Sequence, residues 1–585
     1  MRKDGAAKNN IIISAIIFLA AAAVFFPSIS SAPDIVSDDR AYIGEFARLD
    51  FTLDNILFYF KHPILYLHSP LVMFSFMADK LIWGKNYVLG IHIFNVILHA
   101  VSAVLFFNLL NMLHFYRKGK TSLRIPQTVS AAISLLWALH PQRAESVAWA
   151  CERKDVLITI LFLGAAICFI KSFRKHKFDI AGTILLAASF LCKPMLITFP
   201  ALAAVFIFCE TNGRNYWKKL KFILPSFAVC VLYIIINSTQ MGKSASQNHL
   251  NNPAMLLEAL ANVGRYFAKT FFPHNLCTWY SPVQPLTDAL YLLIPASMLL
   301  LLKTKYKNFA LYCLLPAAVM FGLAISPVSG IVPIGAASFA DRYSCVPSLF
   351  LAAGTAFLIT SIMEKINYFS KIFHIAFASV IVFFCIETSL NCRLYRNENA
   401  FLENALAVPY PHLSMLFSYG HQLLIEKRYT EAEQLAENMQ APPNASQAAI
   451  RSVSTYKQTL KALCMIYRGN VEKGLPELDK VIFSKDSAHL KDYTMKFALD
   501  TLSIAAKLHL QYRNPRHAAH IFGMLSDFYG EYDPSERDFY LGVRAMIRRE
   551  YAEAEMFFLR ALQVRPDNER ISANLKAARA RLGKL

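Results

Sequence analysis

Residues 140–155 read HPQRAESVAWACERKD and lie between two apolar stretches, near residues 126–140 and 156–170, each typical of a membrane-spanning helix. Seven of these side chains are ionisable: His140, Arg143, Glu145, Glu152, Arg153, Lys154 and Asp155. Ionisable groups are costly near a bilayer, and their default interpretation is a functional site. The stretch therefore predicts a membrane protein whose site lies where two spans meet the membrane surface.

The composition supports a polytopic membrane protein. Of the 585 residues, 55% are hydrophobic, and the mean hydropathy is +0.35, which a soluble chain of this length rarely reaches. The formal charge of +20 does not indicate nucleic acid, because the basic residues concentrate in short loops between apolar segments, as the positive-inside rule expects. The chain has no Walker loop, Rossmann glycine fingerprint or HExxH motif, so nucleotide-driven transport and zinc hydrolysis lack support.

The hydropathy pattern predicts about eleven transmembrane helices in a domain at residues 1–390. They lie near residues 10–29, 88–113, 126–140, 156–170, 179–193, 194–209, 222–237, 286–302, 309–326, 346–363 and 372–390. The pair around Lys193 is either two short helices or a re-entrant hairpin. Basic residues mark alternate connections as cytoplasmic, so we expect a cytoplasmic N-terminus, a large first outer loop at 31–86 and an extracytoplasmic C-terminal region in the plasma (inner) membrane.

Residues 391–585 change character and predict a helical repeat domain. Tyr540-Leu541-Gly542, followed by Ala554, Phe558, Ala561 and Pro566, matches the tetratricopeptide pattern of small residues at the helix crossing, an aromatic in the groove and a terminating Pro. Weaker copies precede it, and a generic helical bundle is the alternative for residues 450–535. Such repeat surfaces usually bind peptide or protein.

Two adjacent carboxylates, Asp38 and Asp39, follow the first span. The common interpretation of such a pair is a solvated loop. Here the following residues up to 86 alternate apolar, polar and aromatic positions, as expected of helices lying on a membrane surface. A carboxylate held there would be partly desolvated, which makes it a better general base.

Isolated cations near the span ends form a second group of candidates. Arg153 and Lys154 open one span, Lys193 separates two apolar segments, and Arg342 follows a Gly/Pro-rich outer loop. Arg153 and Lys154 are suited to holding a phosphate, which Arg can bind with two parallel hydrogen bonds, and Lys193 needs an anionic partner in the protein or in a ligand. The alternatives are charged side chains that anchor helix ends and, for Asp341-Arg342, a local ion pair. His92 lies inside the second span with Asn95 and His99, and we favour interhelical hydrogen bonding over ligand binding for this face.

Several motifs in the same order resemble one family of integral-membrane proteins. They are Leu139-His140-Pro141, Glu145-Ser146-Val147-Ala148-Trp149, Glu152-Arg153-Lys154-Asp155-Val156-Leu157, Lys193-Pro194-Met195 and Ala340-Asp341-Arg342-Tyr343. With Asp38-Asp39 in the first outer loop, the chain resembles the transmembrane, tetratricopeptide-repeat-containing protein O-mannosyltransferases, in a bacterial-type form. Around Leu67-His68-Ser69-Pro70 the sequence departs from the family pattern.

This resemblance implies a GT-C fold and a lipid-phosphosugar donor used at the outer (periplasmic) face. Asp38 or Asp39 would then be the catalytic base, and Arg153, Lys154, Lys193 and Arg342 would bind the donor phosphate. Supporting roles would fall to His140, Glu145, Asp155, Asp341, Tyr343 and His92.

We therefore expect a glycosyltransferase directed at protein acceptors that the repeats recruit, with no metal or other cofactor. The main alternative is a non-enzymatic membrane scaffold for cell-envelope or secretion assembly, and a transporter of lipid-linked sugar is a weaker third. The retained acidic pair and the ERKD run at 152–155 favour the enzyme over the scaffold.

Overall fold

The computed structural model describes residues 2–30, 35–44, 46–65, 67–116, 122–244, 253–281, 285–331, 339–365, 369–408, 411–440, 447–483, 495–512, 514–530, 533–565 and 568–584. The chain folds into two compact units, residues 1–404 and 405–585. The division predicted after residue 390 lies 14 residues before this boundary. Helices dominate both units, which confirms the predicted all-α polytopic class.

The first unit is built from α-helices and one short β-hairpin. Its helices are α1 (Arg2–Val24), α2 (Pro27–Ser30), α3 (Asp39–Ile43), α4 (Leu53–Lys61), α5 (Pro70–Trp83), α6 (Tyr87–Met112), α7 (Gln127–Ala138), α8 (Arg143–Ala148), α9 (Arg153–Arg174), α10 (Ile180–Phe190), α11 (Phe199–Thr211), α12 (Tyr216–Lys219), α13 (Leu224–Ser244), α14 (Pro253–Phe271), α15 (Pro285–Leu290), α16 (Leu293–Ser297), α17 (Lys307–Phe309), α18 (Leu315–Ile325), α19 (Pro347–Met363) and α20 (Phe369–Cys392). Strands β1 (His114–Tyr116) and β2 (Ser122–Arg124) pair antiparallel between α6 and α7. Helix α21 (Glu398–Leu406) contains the boundary between the two units, after residue 404.

Within the described residues, seven helical segments are long and apolar enough to cross a membrane. They are Pro70–Met112, Ala150–Arg174, Pro194–Thr211, Tyr216–Asn237, Leu286–Lys303, Lys307–Val328 and Ile375–Tyr395. Four shorter apolar helices lie at Lys8–Val24, Gln127–Ala138, Ile180–Phe190 and Pro347–Met363. Each of the eleven predicted spans overlaps one of these eleven segments, and the weak pair around Lys193 resolves into two helices.

The region predicted as the first outer loop contains α3, α4 and α5. Helix α4 begins after Thr52, whose hydroxyl accepts the N–H of Asn55 at 3.3 Å, a standard N-cap. One face of α4 buries Asn55 and Tyr59, whereas Leu53 and Leu57 are exposed on the other face. Apolar side chains are thus exposed on α4, as expected of a segment on a membrane surface, and that location stays a prediction.

The second unit is a series of antiparallel helix pairs. They are α22 (Leu413–Ile425) with α23 (Tyr429–Asn438), α24 (Gln447–Tyr467) with α25 (Val471–Ile482), α26 (Met495–Gln511) with α27 (Pro515–Tyr529), and α28 (Pro534–Arg548) with α29 (Tyr551–Val564), followed by α30 (Glu569–Arg581). The first helices of successive pairs begin 34, 48 and 39 residues apart, whereas a regular tetratricopeptide repeat has about 34 residues.

The crossing of α28 and α29 shows why small residues occur there. The Phe558 ring lies so close to Gly542 that a Cβ on this residue would clash with it, and Ala554, Phe558 and Ala561 are fully buried. Pro566, the predicted terminator, lies outside the described residues. The helix pairs agree with the predicted packing, and their assignment to the tetratricopeptide family stays a prediction.

Candidate functional site

Residues 140–155 fold into short helical turns between α7 and α9. Helix α8 is followed by a 3-10 turn at Ala150–Glu152, and α9 starts at Arg153. Every residue from 137 to 156 is buried. The charged side chains of this stretch are therefore enclosed by protein and do not lie on lipid-facing helix ends.

Arg342 and Glu145 form the central ion pair of the site, although 197 residues separate them in sequence. The Arg342 guanidinium bonds to one oxygen of the Glu145 carboxylate, and the backbone N–H of Arg342 donates to the other oxygen at 2.9 Å. The two side chains are 9% and 2% exposed. Removing one partner from a buried pair of this kind costs about 3–5 kcal/mol.

Glu152 joins Arg342 to Lys154. Its carboxylate lies 3.4 Å from the Arg342 Nε and 3.0 Å from the Lys154 Nζ. The Lys154 ammonium also lies 4.7 Å from the centre of the Tyr42 ring, which helix α3 contributes. Glu152 is therefore a bridge between two cations predicted to bind phosphate.

Lys193 adds the third cation through Asp155. The Lys193 Nζ is 2.7 Å from the Asp155 carboxylate and 4.4 Å from the centre of the Tyr343 ring. Asp155 in turn interacts with Glu152. The structure thus joins Arg342, Lys154 and Lys193 through three carboxylates into one cluster, which we call the ionic network.

Burial sets the protonation of the groups outside the spans. It raises the pKa of Glu145 from 4.5 to about 7, although the Arg342 guanidinium opposes the rise. Burial alone would lower the pKa of Arg342, but the carboxylates of Glu152 and Glu145 hold it well above its ordinary value. Arg342 therefore keeps its charge, while Glu145 exchanges a proton near neutral pH.

The two members of the acidic pair occupy different environments. Asp39 is 1% exposed, and its carboxylate accepts the N–H of Val36 at 3.1 Å and of Cys151 at 2.7 Å. Burial raises the pKa of Asp39 from 3.8 to about 7. Asp38 precedes α3 at its N-cap and is only partly buried. Asp39 fastens α3 to the turn at 150–152, and Asp38 is the more accessible of the two carboxylates.

Arg153 lies in a separate polar cluster with a full set of protein partners. Its guanidinium is wholly buried and bonds to Asp79, Ser75 (3.2 Å), the Asn95 side chain (2.7 Å) and the Ile91 carbonyl (2.8 Å). Successive helical side chains point about 100° apart, so Arg153 and Lys154 diverge at the start of α9. These contacts favour a positioning role for Arg153, and its assignment to the donor phosphate stays a prediction.

The histidines on α6 and after α7 lie in packed surroundings. His99 bonds to the Ala138 carbonyl at 2.9 Å, and Asn95 contacts Arg153, so these two residues make the interhelical bonds that we favoured. Among the described residues, neither ring nitrogen of His92 has a hydrogen-bond partner. His92 is buried on the same helix. His140 contacts the Thr270 carbonyl at 3.2 Å, and burial lowers its pKa to about 3. The structure does not place either His92 or His140 in the ionic network.

Asp341 is held beside the network by neutral donors. Its carboxylate accepts from the Gln142 amide at 2.9 Å and the Tyr280 hydroxyl at 2.5 Å. Burial raises its pKa, and Lys269 opposes the rise. Asp341 and Arg342 therefore have different partners. These contacts do not include the local ion pair between them that the sequence allowed as an alternative.

Sequence reasoning missed three residues that complete the two clusters: Asp79, Glu152 and Trp149. Asp79 was detectable, because an acid inside the apolar helix α5 carries the same signal as Lys193 between its spans. Glu152 stood in the charged run without an assigned role. The Trp149 indole N–H donates to the Val36 carbonyl at 3.2 Å, and its ring faces Arg342 at 5.5 Å, which no local pattern indicates.

The fold and the site define a polytopic, all-α membrane protein with a buried ionic network where its apolar helices begin. Helix α9 starts at Arg153, between Glu152 and Lys154 of this network, and α8 contains Glu145. A buried ion-pair cluster is weak evidence for stability, and ionisable groups beside membrane spans are a functional-site hypothesis by default, so the ionic network is the candidate functional site.

Comparison with known proteins confirms the predicted resemblance to protein O-mannosyl-transferases. The chain is 28% identical over 152 residues to protein O-mannosyl-transferase TMTC4 from Homo sapiens, covering 24% of this chain and 20% of that protein. It is 23% identical over 415 residues to protein O-mannosyl-transferase TMTC3 from Homo sapiens, covering 62% and 43% of the two chains. A protein O-mannosyl-transferase from Caenorhabditis elegans is 23% identical over 373 residues, with 61% and 51% covered. The chain thus spans about half or less of the length of these relatives, and no protein-family model matches it.

Proposed function

We propose that this protein is a glycosyltransferase that moves a mannosyl group from a polyprenyl-phosphate donor to a hydroxyl group of a protein acceptor. Similarity to proteins named protein O-mannosyl-transferases supports the reaction class and the protein acceptor. The donor class is inferred from the chemistry of the ionic network. Transfer takes place at the extracytoplasmic face, where the loop charges place the acidic pair.

The proposal rests on the contacts between α3, the helix that starts at Asp39, and the part of the chain that contains the cations of the ionic network. The Asp39 carboxylate accepts the N–H of Cys151, and Tyr42 of the same helix lies over the Lys154 ammonium. Asp38, the residue that precedes this helix, interacts electrostatically with Tyr42 and so lies near the cations of the network. A base on one side and a set of cations on the other is what phosphate displacement by a hydroxyl group requires.

The chemistry follows from these positions. Asp38 removes the proton from the acceptor hydroxyl as its oxygen forms a bond to the anomeric carbon of the sugar. The bond from this carbon to the phosphate oxygen breaks, and the electron pair departs with the lipid phosphate. Arg342, Lys154 and Lys193 stabilise the negative charge that grows on this leaving group, so the reaction needs no metal ion.

Each of these cations already has a carboxylate partner, which has a consequence for donor binding. Glu145, Glu152 and Asp155 balance Arg342, Lys154 and Lys193 when all six are ionised. An arriving phosphate competes with these carboxylates. Glu145 is suited to relieve the competition, because its pKa of about 7 lets it take up a proton when the anion binds.

The C-terminal unit supplies the acceptor side. Its helix pairs form a surface of the type that usually binds peptide or protein segments. We infer that residues 405–585 bind the acceptor, whereas the first unit binds the donor.

The direct test is transfer by the purified protein in nanodiscs. Polyprenyl-phosphate mannose and an acceptor protein are supplied, and addition of hexose is followed by mass spectrometry. Asp38→Asn should lower the rate by about 10²–10⁴-fold, the contribution typical of a general base. Asp54→Asn is the matched control, because Asp54 is an exposed carboxylate of α4. Equal rates in the two variants would remove Asp38 from the mechanism, and no transfer by the wild type with several lipid-linked sugars would favour the scaffold.

A further inference from the structure

An apolar cavity lies in the first unit, separate from the ionic network. It lies between side chains of α6, α9, α11, α18 and α19 and is partly open at its surface. Phe162, Phe199, Leu349 and Phe357 are among the apolar side chains that line it, and His114 and Glu210 are among the few polar ones. The cavity is therefore suited to a hydrocarbon chain with a polar group at one end.

The cavity lies on the side of the membrane unit away from the ionic network. On α9 its lining starts at Phe162, seven residues beyond Asp155 and so about 10 Å further along the helix. On α11 it runs from Phe199 to Glu210, about 16 Å. A length of about 16 Å corresponds to one leaflet of a hydrocarbon core roughly 30 Å thick.

The polar end of the cavity meets a basic surface. Arg174 bonds to both Glu210 oxygens, at 2.7 and 3.2 Å, and also to His114 and the Met112 carbonyl at 2.9 Å each. Arg174 is 28% exposed. Exposed basic side chains of the connections at this end include Arg124, Lys171, Lys175, Lys177, Arg214, Lys218 and Lys221. They outnumber the acids Asp179 and Glu210, so this end attracts an anionic headgroup.

We propose that this cavity binds one acyl chain of an anionic phospholipid from the leaflet at the Arg174 end, with its headgroup among the exposed basic side chains named above. The position of the cavity along the membrane normal favours a phospholipid over the polyprenyl tail of the donor as the occupant. A donor whose phosphate lies at the ionic network places its first isoprene units in the other half of the unit, whereas the polar end of this cavity faces the opposite surface. The proposal is independent of the proposed catalytic function.

The test uses the full-length protein with phosphatidylglycerol that carries a diazirine at the end of one acyl chain. Irradiation should label peptides that contain residues 199–210 and 349–357, and unlabelled phosphatidylglycerol should compete better than phosphatidylcholine of the same chain length. Ala353→Phe, which fills the cavity, should reduce labelling at least five-fold. Ala181→Phe is the matched control, because Ala181 lies exposed on α10 and away from the cavity.

A second measurement does not depend on the folding of a variant. Added phosphatidylglycerol should raise the melting temperature of the wild type by at least about 2 °C, as expected of a ligand bound to the native state, and phosphatidylcholine should not. Equal effects of the two lipids, or labelling confined to other helices, would overturn the proposal. Displacement of the labelled lipid by polyprenyl phosphate at equal concentration would assign the cavity to the donor tail instead.

Discussion

Replacing Asp39 by Asn tests the division of labour within the acidic pair. The buried Asp39 carboxylate accepts the N–H of Val36 and of Cys151 with different oxygens. Asn keeps one acceptor oxygen and presents an NH₂ group in place of the other, so one backbone N–H loses its acceptor. A buried donor left unpaired costs about 1–3 kcal/mol, and Asp39→Asn should be destabilised by that amount at pH 5.

The destabilisation caused by Asp39→Asn should become smaller as the pH rises. Burial raises the pKa of Asp39 from 3.8 to about 7. Because the folded-state pKa is raised, the contribution of Asp39 to stability is complete below pH 4 and is lost as the pH rises through 7. The full loss amounts to about 4 kcal/mol. Asn does not ionise, so the deficit of Asp39→Asn should shrink or reverse between pH 5 and pH 8.

The measurement is thermal unfolding in nanodiscs at pH 5, 6.5 and 8. Asp54→Asn is the control, because Asp54 is an exposed carboxylate in the same loop. Asp38→Asn should melt at the same temperature as this control. If Asp39→Asn and Asp54→Asn melt at the same temperature at pH 5 and keep the wild-type pH dependence, Asp39 does not fasten α3 to the turn at 150–152.

The other predictions concern donor binding, topology and the C-terminal unit. Donor-analogue affinity should fall as the pH rises through about 7, because Glu145 must take up a proton when phosphate binds. Calorimetry in two buffers of different ionisation enthalpy measures this proton uptake, and an affinity that does not depend on pH would contradict the prediction. Arg153→Lys should lower the melting temperature and leave donor affinity within about two-fold, since the guanidinium already has protein partners; a loss of ten-fold or more, about 1.4 kcal/mol, would restore its phosphate role. Cysteine labelling should place residues 171–178 in the cytoplasm and the C-terminus outside, and a cytoplasmic C-terminus would separate the second unit from the acidic pair. Removal of residues 405–585 should spare donor binding and reduce transfer to protein, whereas loss of donor binding would make this unit structural for the first.

The features that could be predicted from sequence are those set by local composition. Eleven apolar stretches coincide with eleven apolar helical segments, because hydropathy is a sum over neighbouring residues. The helix pairs of the second unit follow from small and aromatic residues at helical spacing. The charged run at 140–155 indicated a candidate site, because ionisable groups at membrane depth are costly wherever they occur.

The partners within the site depended on contacts between distant parts of the chain. Arg342 pairs with Glu145 across 197 residues, and Arg153 with Asp79 across 74. Nothing near Arg153 or Lys154 in sequence distinguishes the saturated cation from the one in the ionic network. Helix geometry separates them, because adjacent side chains point in different directions.

The sequence by itself determined that this is a polytopic helical protein with an acidic pair and a set of cations near the membrane surface. Only the tertiary structure decided which acid is buried and which cations share a cluster. The physical reason is that burial, and with it the pKa of Asp39 and Glu145, depends on every element packed around a carboxylate, whereas hydropathy and helical periodicity depend on its neighbours along the chain alone.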